Sequence, residues 1–443
     1  MRIDFIHFKR FKSLYDVEIS PGKFVTVTGP NGSGKSNFAT AIAFLGETYR
    51  FGLEYAVGRA GGIDSIAYRR AKRTTVPVSF TIKVELDSRD SYITMSDRLV
   101  SLRGNIQVEH NFDVKAGRRI GDSTFTVSQE KISITYKVDM EELLVFEVRS
   151  SQSAGGRAVN FDFGDDDRIV GLRDYVFERF SQRSDFRRLV SETTPSTELM
   201  ISSVPFIPIL REFKNSLSRL NVFRLNAGAC RRPGILTPNA TLSSDGSNLP
   251  GVVARLRRPV RRHGGRSPAV DSAYWGQIVE SMSEIFPNLV DIDTSINPSS
   301  GELDLQFHEQ DVGRPWSARE VSDGTIQYLA LLAAMDARTS PMIVVEEPEN
   351  ALHSWMLRIF IDKCRNDTSS QILLTTHSPV AMKSVHPEEV LLAWKSAGRT
   401  YLKPLTVVDP GASELFHVEG IDVFEQYDSG FLAQTLPSWG NVE

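Results

Sequence analysis

The chain has 443 residues, 41% of them apolar and 24% charged, and a net charge of −4. That length allows two or three domains, or one domain carrying large insertions, and the composition is that of a soluble globular protein. The whole-chain charge makes no case for nucleic acid, the two cysteines are too few for a disulfide framework, and no apolar run approaches the length of a membrane span. The charged start, MRIDFIHFKR, lacks the apolar core of a signal peptide, so a cytoplasmic protein with no membrane partner is expected.

Residues 1–50 read as strand, strand, loop and helix. The apolar run FVTV (Phe24–Val27) feeds into TGPNGSGKSN (Thr28–Asn37), and helical NFATAIAFL follows. The loop fits G-x-x-x-x-G-K-[ST], with Gly29, Gly34, Lys35 and Ser36 in the fixed places. Glycines let backbone N–H groups turn inward and approach phosphate oxygens closely. Lys35 is placed to reach the β- and γ-phosphates of ATP, and the Ser36 hydroxyl to ligate Mg²⁺. The candidate phosphate cradle is therefore Gly29, Pro30, Asn31, Gly32, Ser33, Gly34, Lys35, Ser36 and Asn37, at the positive end of the helix that follows.

Residues 75–165 alternate apolar and polar side chains in runs such as VSFTIKVEL, IQVEHNFDV and FTVSQEKISITYKV, the pattern of an antiparallel sheet with one exposed face. The loop at 150–167 ends in Asp165, Asp166 and Asp167, which read as a solvated acidic loop because no ligand spacing of a metal site is present. Helical periodicity covers 168–192 and 207–220. Residues 226–270, rich in Arg, Pro, Gly, Ser and Asn, read mostly as loop, and from 271 to about 410 the pattern is α/β again. The segment RLRRPVRRHGGR, with Arg255, Arg257, Arg258, Arg261 and Arg262, can grip DNA phosphates or serve as a solvated loop.

The second α/β half holds three further stretches. EVSDGTIQYLALLAAM (Glu320–Met335) is a tight turn and an apolar helix, with Ser322 as the candidate N-cap and Gly324 at a close backbone approach, which makes an anion-binding helix start. PMIVVEEPENALH (Pro341–His353) is a buried parallel strand ending in Glu346 and Glu347. In a doubly wound sheet the ligand sits at the carboxyl ends of the strands, so one carboxylate can hold Mg²⁺ while the next orients and deprotonates water. QILLTTHSP (Gln371–Pro379) is another buried strand, and His377 at its end can sense a γ-phosphate or be a structural histidine.

In this order, TGPNGSGKSN, VSDGTIQ, VVEEPENALH and TTHSP resemble the ABC-type ATPase heads of the SMC/RecF/OLD group, in particular its compact predicted AAA ATPases without a long coiled coil or Toprim domain. FKRFKSLYDVEI (Phe8–Ile19) and LSSDGSNLPGVV (Leu242–Val253) share that resemblance. It implies an α/β fold, an ABC-type P-loop ATPase head with an antiparallel β-rich and helical insertion. It also implies a homodimer or higher even oligomer, in which ATP held by one P-loop meets Ser322, Asp323 and Gly324 of another copy. Glu347, His377 and Lys35 then take the catalytic positions, Ser36 and Glu346 the metal positions, and Ala351 and Leu352 line the dimer interface. Arg10 and Lys12 of the lead-in are placed near the nucleotide. Glu346 stands where most relatives carry Asp, and Gln107 or Gln129 is the choice for a Mg²⁺-bridging glutamine.

The resulting organisation is an N-terminal ATPase lobe (1–74), a β-rich then helical insertion (75–270) and a C-terminal ATPase lobe (271–443). The implied function is ATP hydrolysis coupled to DNA or to a separate nuclease or Toprim-like effector, in anti-phage defence or DNA maintenance. The alternatives are an OLD-like ATPase with built-in nuclease activity, for which DIDTS (Asp291–Ser295) reads only as a strand in a hairpin with ELDLQF, and a transporter head.

Overall fold

The computed structural model describes residues 1–68, 76–86, 92–95, 98–101, 105–117, 125–138, 141–153, 156–169, 188, 190–204, 207–237, 240–257, 268–336, 340–367 and 370–428. The described strands are β1 (Arg2–Phe11), β2 (Leu14–Ile19), β3 (Phe24–Thr28), β4 (Val78–Leu86), β5 (Tyr92–Met95), β6 (Arg98–Ser101), β7 (Asn105–Ala116), β8 (Phe125–Val138), β9 (Glu141–Ser153), β10 (Gly156–Phe163), β11 (Asn221–Phe223), β12 (Leu289–Ile296), β13 (Leu303–Glu309), β14 (Trp316–Ser317), β15 (Met342–Glu346), β16 (Gln371–Thr376), β17 (Val390–Ser396) and β18 (Arg399–Pro404).

Thirteen of these strands form one sheet, in the order β10-β9-β8-β7-β4-β1-β2-β18-β17-β3-β16-β15-β11. From β11 to β17 every neighbour is parallel. Beyond the β17–β18 hairpin, a single parallel pair, Thr400 with Leu14, joins β18 to β2, and from β2 to β10 every neighbour is antiparallel. The sequence pattern explains the change. β3, β15 and β16 are buried at every residue, as strands covered on both faces must be. β4 alternates buried and half-buried positions, so only one of its faces is fully covered.

Alternate residues of the parallel strands feed two different cores. Val25, Val27, Val344 and Leu373 join the core under the P-loop helix, Lys35–Phe51, while Phe24, Ile343, Val345, Ile372 and Leu374 join the core under the helix Asp323–Ala334. The side-chain period of 2 thus sandwiches the sheet between helices.

The antiparallel strands do not form a separate body. β4 pairs with β1 from Arg2 to Lys9, so the strands read as an insertion continue the same sheet as β1 to β3. The P-loop helix spans the junction: Phe44 stacks on Phe80 of β4, centroids 5.3 Å apart, and Phe80 stacks on Phe112 of β7 at 4.8 Å. The helix Pro208–Leu217 and β11 also fall within 75–270, and β11 is the outer parallel strand, beside β15. In 226–270, read mostly as loop, the structure has the helices Ala227–Cys230, Leu249–Arg257 and the start of Pro268–Ile285. Most of the helical reading at 168–192 lies outside the described residues. DIDTS and ELDLQF pair as β12 and β13. Among the described residues, no helix is long and apolar enough to cross a membrane.

Candidate functional site

The register of the central strands assembles the site. Thr376 pairs with Thr28, and Glu346 with Thr375, so β3, β16 and β15 end side by side. The loops that leave these ends carry Lys35, His377 and Glu347.

The glycines of the P-loop answer to close neighbours. A Cβ on Gly29 would lie 2.0 Å from the Ala393 carbonyl oxygen, and one on Gly34, whose φ is 110°, would lie 2.1 Å from Thr400 Oγ1. β17 and β18 therefore press on the loop from behind. A chain of hydroxyls braces the same side. Asn37 Nδ2 donates to Ser13 Oγ (2.7 Å), Ser13 and Thr400 hydroxyls lie 2.7 Å apart, and Thr400 Oγ1 donates to Ser33 O (2.8 Å). With Thr400 giving its proton to Ser33 O, the Ser13 hydroxyl donates to Thr400, and each donor in the chain is used. The opposite face is open, since Asn31, Gly32 and Ser36 are exposed.

Lys35 is buried, and its ammonium donates to Gly29 O at 2.6 Å and Pro30 O at 3.1 Å. Burial pushes its pKa below the ordinary lysine value, and the charges of Glu347 and Glu349 oppose that shift. The same interaction places both acids within electrostatic reach of the P-loop lysine.

Glu346 closes β15 and is 8% exposed; Arg224 NH2 donates to its Oε2 at 2.6 Å. Glu347 has φ 48°, a left-handed conformation unfavourable for a residue with a side chain. Its N–H is held by Thr375 O at 2.8 Å and its carboxylate is half-exposed. Glu349 accepts from Thr376 Oγ1 (2.8 Å) and the His377 N–H (3.1 Å) through Oε1, while its Oε2 is buried without a partner. It thereby ties the loop after β15 to the loop after β16. His377 Nδ1 lies 3.6 Å from Glu349 and 4.0 Å from Glu347.

Ser322 caps the helix Asp323–Ala334: its side chain accepts from Thr325 N at 3.1 Å. A Cβ on Gly324 would lie 3.0 Å from Ala351 O, so this helix start packs on the loop after β15, where Ala351 itself has φ 64°. Leu352 is half-buried behind it. Among the described residues, no hydrogen bond or ion pair joins 321–325 to 28–37.

Several expectations are corrected. Arg10 spends its guanidinium on Pro77 O (2.6 Å) and Ser79 Oγ (3.3 Å), on and beside β4. Lys12 does line a cavity of about 950 Å³ beside the P-loop, together with Ser13, Asn37, Tyr68 and Lys395. Gln107 and Gln129 sit on β7 and β8, six and seven strands from β3. Gln107 Nε2 donates to Asp4 Oδ2 (3.4 Å), beside the start of β16 at the end of the sheet opposite the cradle, and Gln129 pairs across the strands with Asp113 and Ser151. Arg255 pairs with Asp336, and Arg257 pairs with Asp291 (2.6 Å) and Asp293 (3.2 Å), so both guanidiniums are held by internal carboxylates. That pairing also occupies the acids of DIDTS. Arg258, Arg261 and Arg262 lie outside the described residues. Asp166 is taken by Arg168, whose hydrogen bonds bring its pKa down to about 2.

Sequence reasoning missed Ser13, Thr400, Glu349, Arg224 and Arg231. Glu349 is signalled by its place in EEPEN; the others have no local signal.

The residues present fit a magnesium nucleotide. The Ser36 hydroxyl and the Glu346 carboxylate are hard oxygen donors of the kind Mg²⁺ prefers. The orphaned Glu349 Oε2 marks a place where a polar group or cation remains to be met.

The chain belongs to the family described as "AAA domain, putative AbiEii toxin, Type IV TA system", whose model matches residues 24–383. A search of curated proteins finds no match. Among solved structures, the SmcHead bound to the C-winged helix domain of ScpA is 15% identical, with 91% of this chain and 97% of that chain covered and a TM-score of 0.47. The SMC head domain from Thermotoga maritima is 14% identical, with 91% and 99% covered and a TM-score of 0.35. The Smc head domain with an extended coiled coil, bound to the C-terminal domain of ScpA and derived from Pyrococcus furiosus, is 14% identical, with 90% and 95% covered and a TM-score of 0.38. With TM-scores below 0.5 these likenesses are distant, and the family match is what places the chain.

Proposed function

We propose that this member of the AAA-domain family is an ATPase that holds ATP and Mg²⁺ at the carboxyl ends of β3, β16 and β15. It closes on a second copy around the nucleotide and couples that closure to DNA or to a separate nuclease or Toprim-like effector, in anti-phage defence or DNA maintenance. The register that sets Thr28, Thr376 and Glu346 side by side carries this reading, because it delivers Lys35, His377 and both glutamates to one edge.

Lys35 exchanges the carbonyls of Gly29 and Pro30 for the β- and γ-phosphates. Ser36 and Glu346 hold the magnesium, which when bound neutralises phosphate charge. Glu347 orients the attacking water and accepts its proton, and His377, anchored through its backbone by Glu349, faces the γ-phosphate. Ser322, Asp323 and Gly324 present a helix N-terminus to the nucleotide held by the other copy. The cavity lined by Lys12 and Tyr68 takes the nucleoside end. DNA contact is proposed only for Arg258, Arg261 and Arg262, since Arg255 and Arg257 are spent on internal pairs.

The test is Glu347→Gln. In ATP and Mg²⁺ its solution mass should double, with unhydrolysed ATP retained, and in ADP it should stay monomeric. Wild-type turnover by this variant would remove Glu347 from the mechanism, and a wild-type chain that hydrolyses no ATP would remove the ATPase.

A further inference from the structure

Within one copy, a short rigid segment bridges the two half-sites. Arg224, the first residue after β11, holds Glu346 Oε2 at 2.6 Å. Seven residues on, Arg231 NH2 donates to Val321 O at 2.6 Å and its NH1 pairs with Asp323 Oδ1 at 2.6 Å. Between them, Asn226 caps the helix Ala227–Cys230 by accepting from Ala229 N at 3.0 Å. The turn of LSSDGSNLP clamps this segment from outside. Ser244 O accepts from Arg224 N (2.7 Å) and Asp245 O from Asn226 N (3.2 Å). Gly246, at φ 79°, leaves room for Cys230 Sγ, which lies 2.3 Å from where a Cβ would stand. The result is a stiff arm with a guanidinium at each end.

The two ends differ in freedom. Glu346 is fixed and buried, whereas the Arg224 side chain is 64% exposed and is the partner that can leave. Glu346 belongs to the proposed magnesium set. A guanidinium on its Oε2 and a divalent cation at about 2.1 Å from the same carboxylate repel each other. Binding of one therefore disfavours the other. At the far end, Arg231 is mostly buried and both terminal nitrogens are committed to the turn at Val321–Asp323.

We propose that Arg224–Arg231 is a coupling arm. Arg224 guards the metal carboxylate until a magnesium nucleotide displaces it. Its release lets Arg231 carry the turn at Val321–Asp323 into the pose that a second copy's nucleotide requires. The Arg231 half rests on the shared-site reading above; the Arg224 half needs only the P-loop and Glu346.

Two measurements on the full chain test the arm. The first is binding of a fluorescent non-hydrolysable ATP analogue across a Mg²⁺ titration. Arg224→Ala should lower the half-saturating Mg²⁺ by roughly five- to tenfold, leave Mg²⁺-free binding unchanged, and be partly reversed in Arg224→Lys. An unchanged half-saturation in Arg224→Ala overturns the guard. The second is ATP-driven dimerisation by light scattering in the Glu347→Gln background. Arg231→Ala should weaken the dimer by roughly tenfold while one copy binds the analogue as before. Arg231→Lys, whose ammonium cannot hold Val321 O and Asp323 together as the guanidinium does, serves if Arg231→Ala fails to fold. Arg224→Ala should also shift dimerisation, and adding it to Arg231→Ala should change nothing further; independent, multiplying effects overturn the coupling. If Glu347→Gln with both arginines intact does not dimerise in ATP, the shared site and the coupling fail together, and the Mg²⁺ titration alone decides Arg224.

Discussion

Glu130, on β8, and Glu349, just after β15, are both carboxylates drawn away from solvent into the same sheet, yet their surroundings differ. The Glu130 side chain is fully buried and saturated: Oε1 meets His110 Nε2 (3.0 Å) and Ile201 N (3.2 Å), and Oε2 meets Met200 N (2.6 Å) and Arg157 NH1 (3.5 Å). His110 extends the network to Tyr49 OH at 2.8 Å, on the P-loop helix, and Arg157 to Glu198 O at 2.6 Å. Glu349 keeps an unpartnered buried oxygen and is flanked by Glu347 and Ala351, both with positive φ. A satisfied network on relaxed backbone fixes structure, whereas an unsatisfied group on strained backbone is held ready for something that arrives. The network around Glu130 shows the first condition and the loop after β15 the second.

The sharpest way to break this contrast is at Lys35. Lys35→Ala should reduce hydrolysis to background and weaken nucleotide binding while the melting temperature stays near wild type, because its two contacts are with P-loop carbonyls rather than the core. Hydrolysis that survives this change would take the P-loop out of the account. Next is Glu349→Ala, which frees Thr376 and His377 from the loop after β15. A displacement of about 1 Å at such a site costs roughly 10²-fold in rate, so kcat should fall by about that much with ATP affinity retained; an unchanged kcat would make Glu349 a bystander.

The mirror experiment is Glu130→Ala, which strands a buried guanidinium and two backbone donors. Stability should fall by about 3–5 kcal/mol, as expected for breaking a buried ion pair, while the folded chain below its new midpoint should bind ATP as before. Tyr49→Phe, removing one hydrogen bond of the same network, should cost only about 1 kcal/mol. Denaturant midpoints and ATP titrations on the same samples would show whether the two carboxylates separate as described. The smallest effect is expected of Thr400→Val, which removes the hydroxyl that braces Ser33 O: about 1 kcal/mol of stability and a modest loss of ATP affinity. Wild-type values for both would mean the brace is incidental.

These examples also show what a sequence can carry. Lys35, Ser36, Glu346 and Glu347 were legible because their chemistry is local: a glycine loop after one buried strand, a carboxylate pair after another. The alternation of β4, β7 and β8 showed an antiparallel sheet. Alternation does not name the edge a strand joins, so the pairing of β4 with β1 that makes a single sheet was not legible. β11 is three residues long and leaves no period to read. Thr400 and Ser33 are 367 positions apart, and Arg224 and Glu346 are 122 apart, so only the fold brings them together. Arg255 and Arg257 looked like a phosphate grip because Asp336, Asp291 and Asp293, which neutralise them, lie far along the chain.

The proposed catalytic site is built from two copies, the strand ends of one and Ser322–Gly324 of the other. Ser322→Arg and Lys35→Ala chains, each inactive alone, should be mixed and their ATP hydrolysis measured. A heterodimer contains one site with an intact P-loop facing an intact Ser322–Gly324 turn, so the mixture should regain activity equal to about one working site per heterodimer. A mixture no more active than its two parents would contradict the shared site.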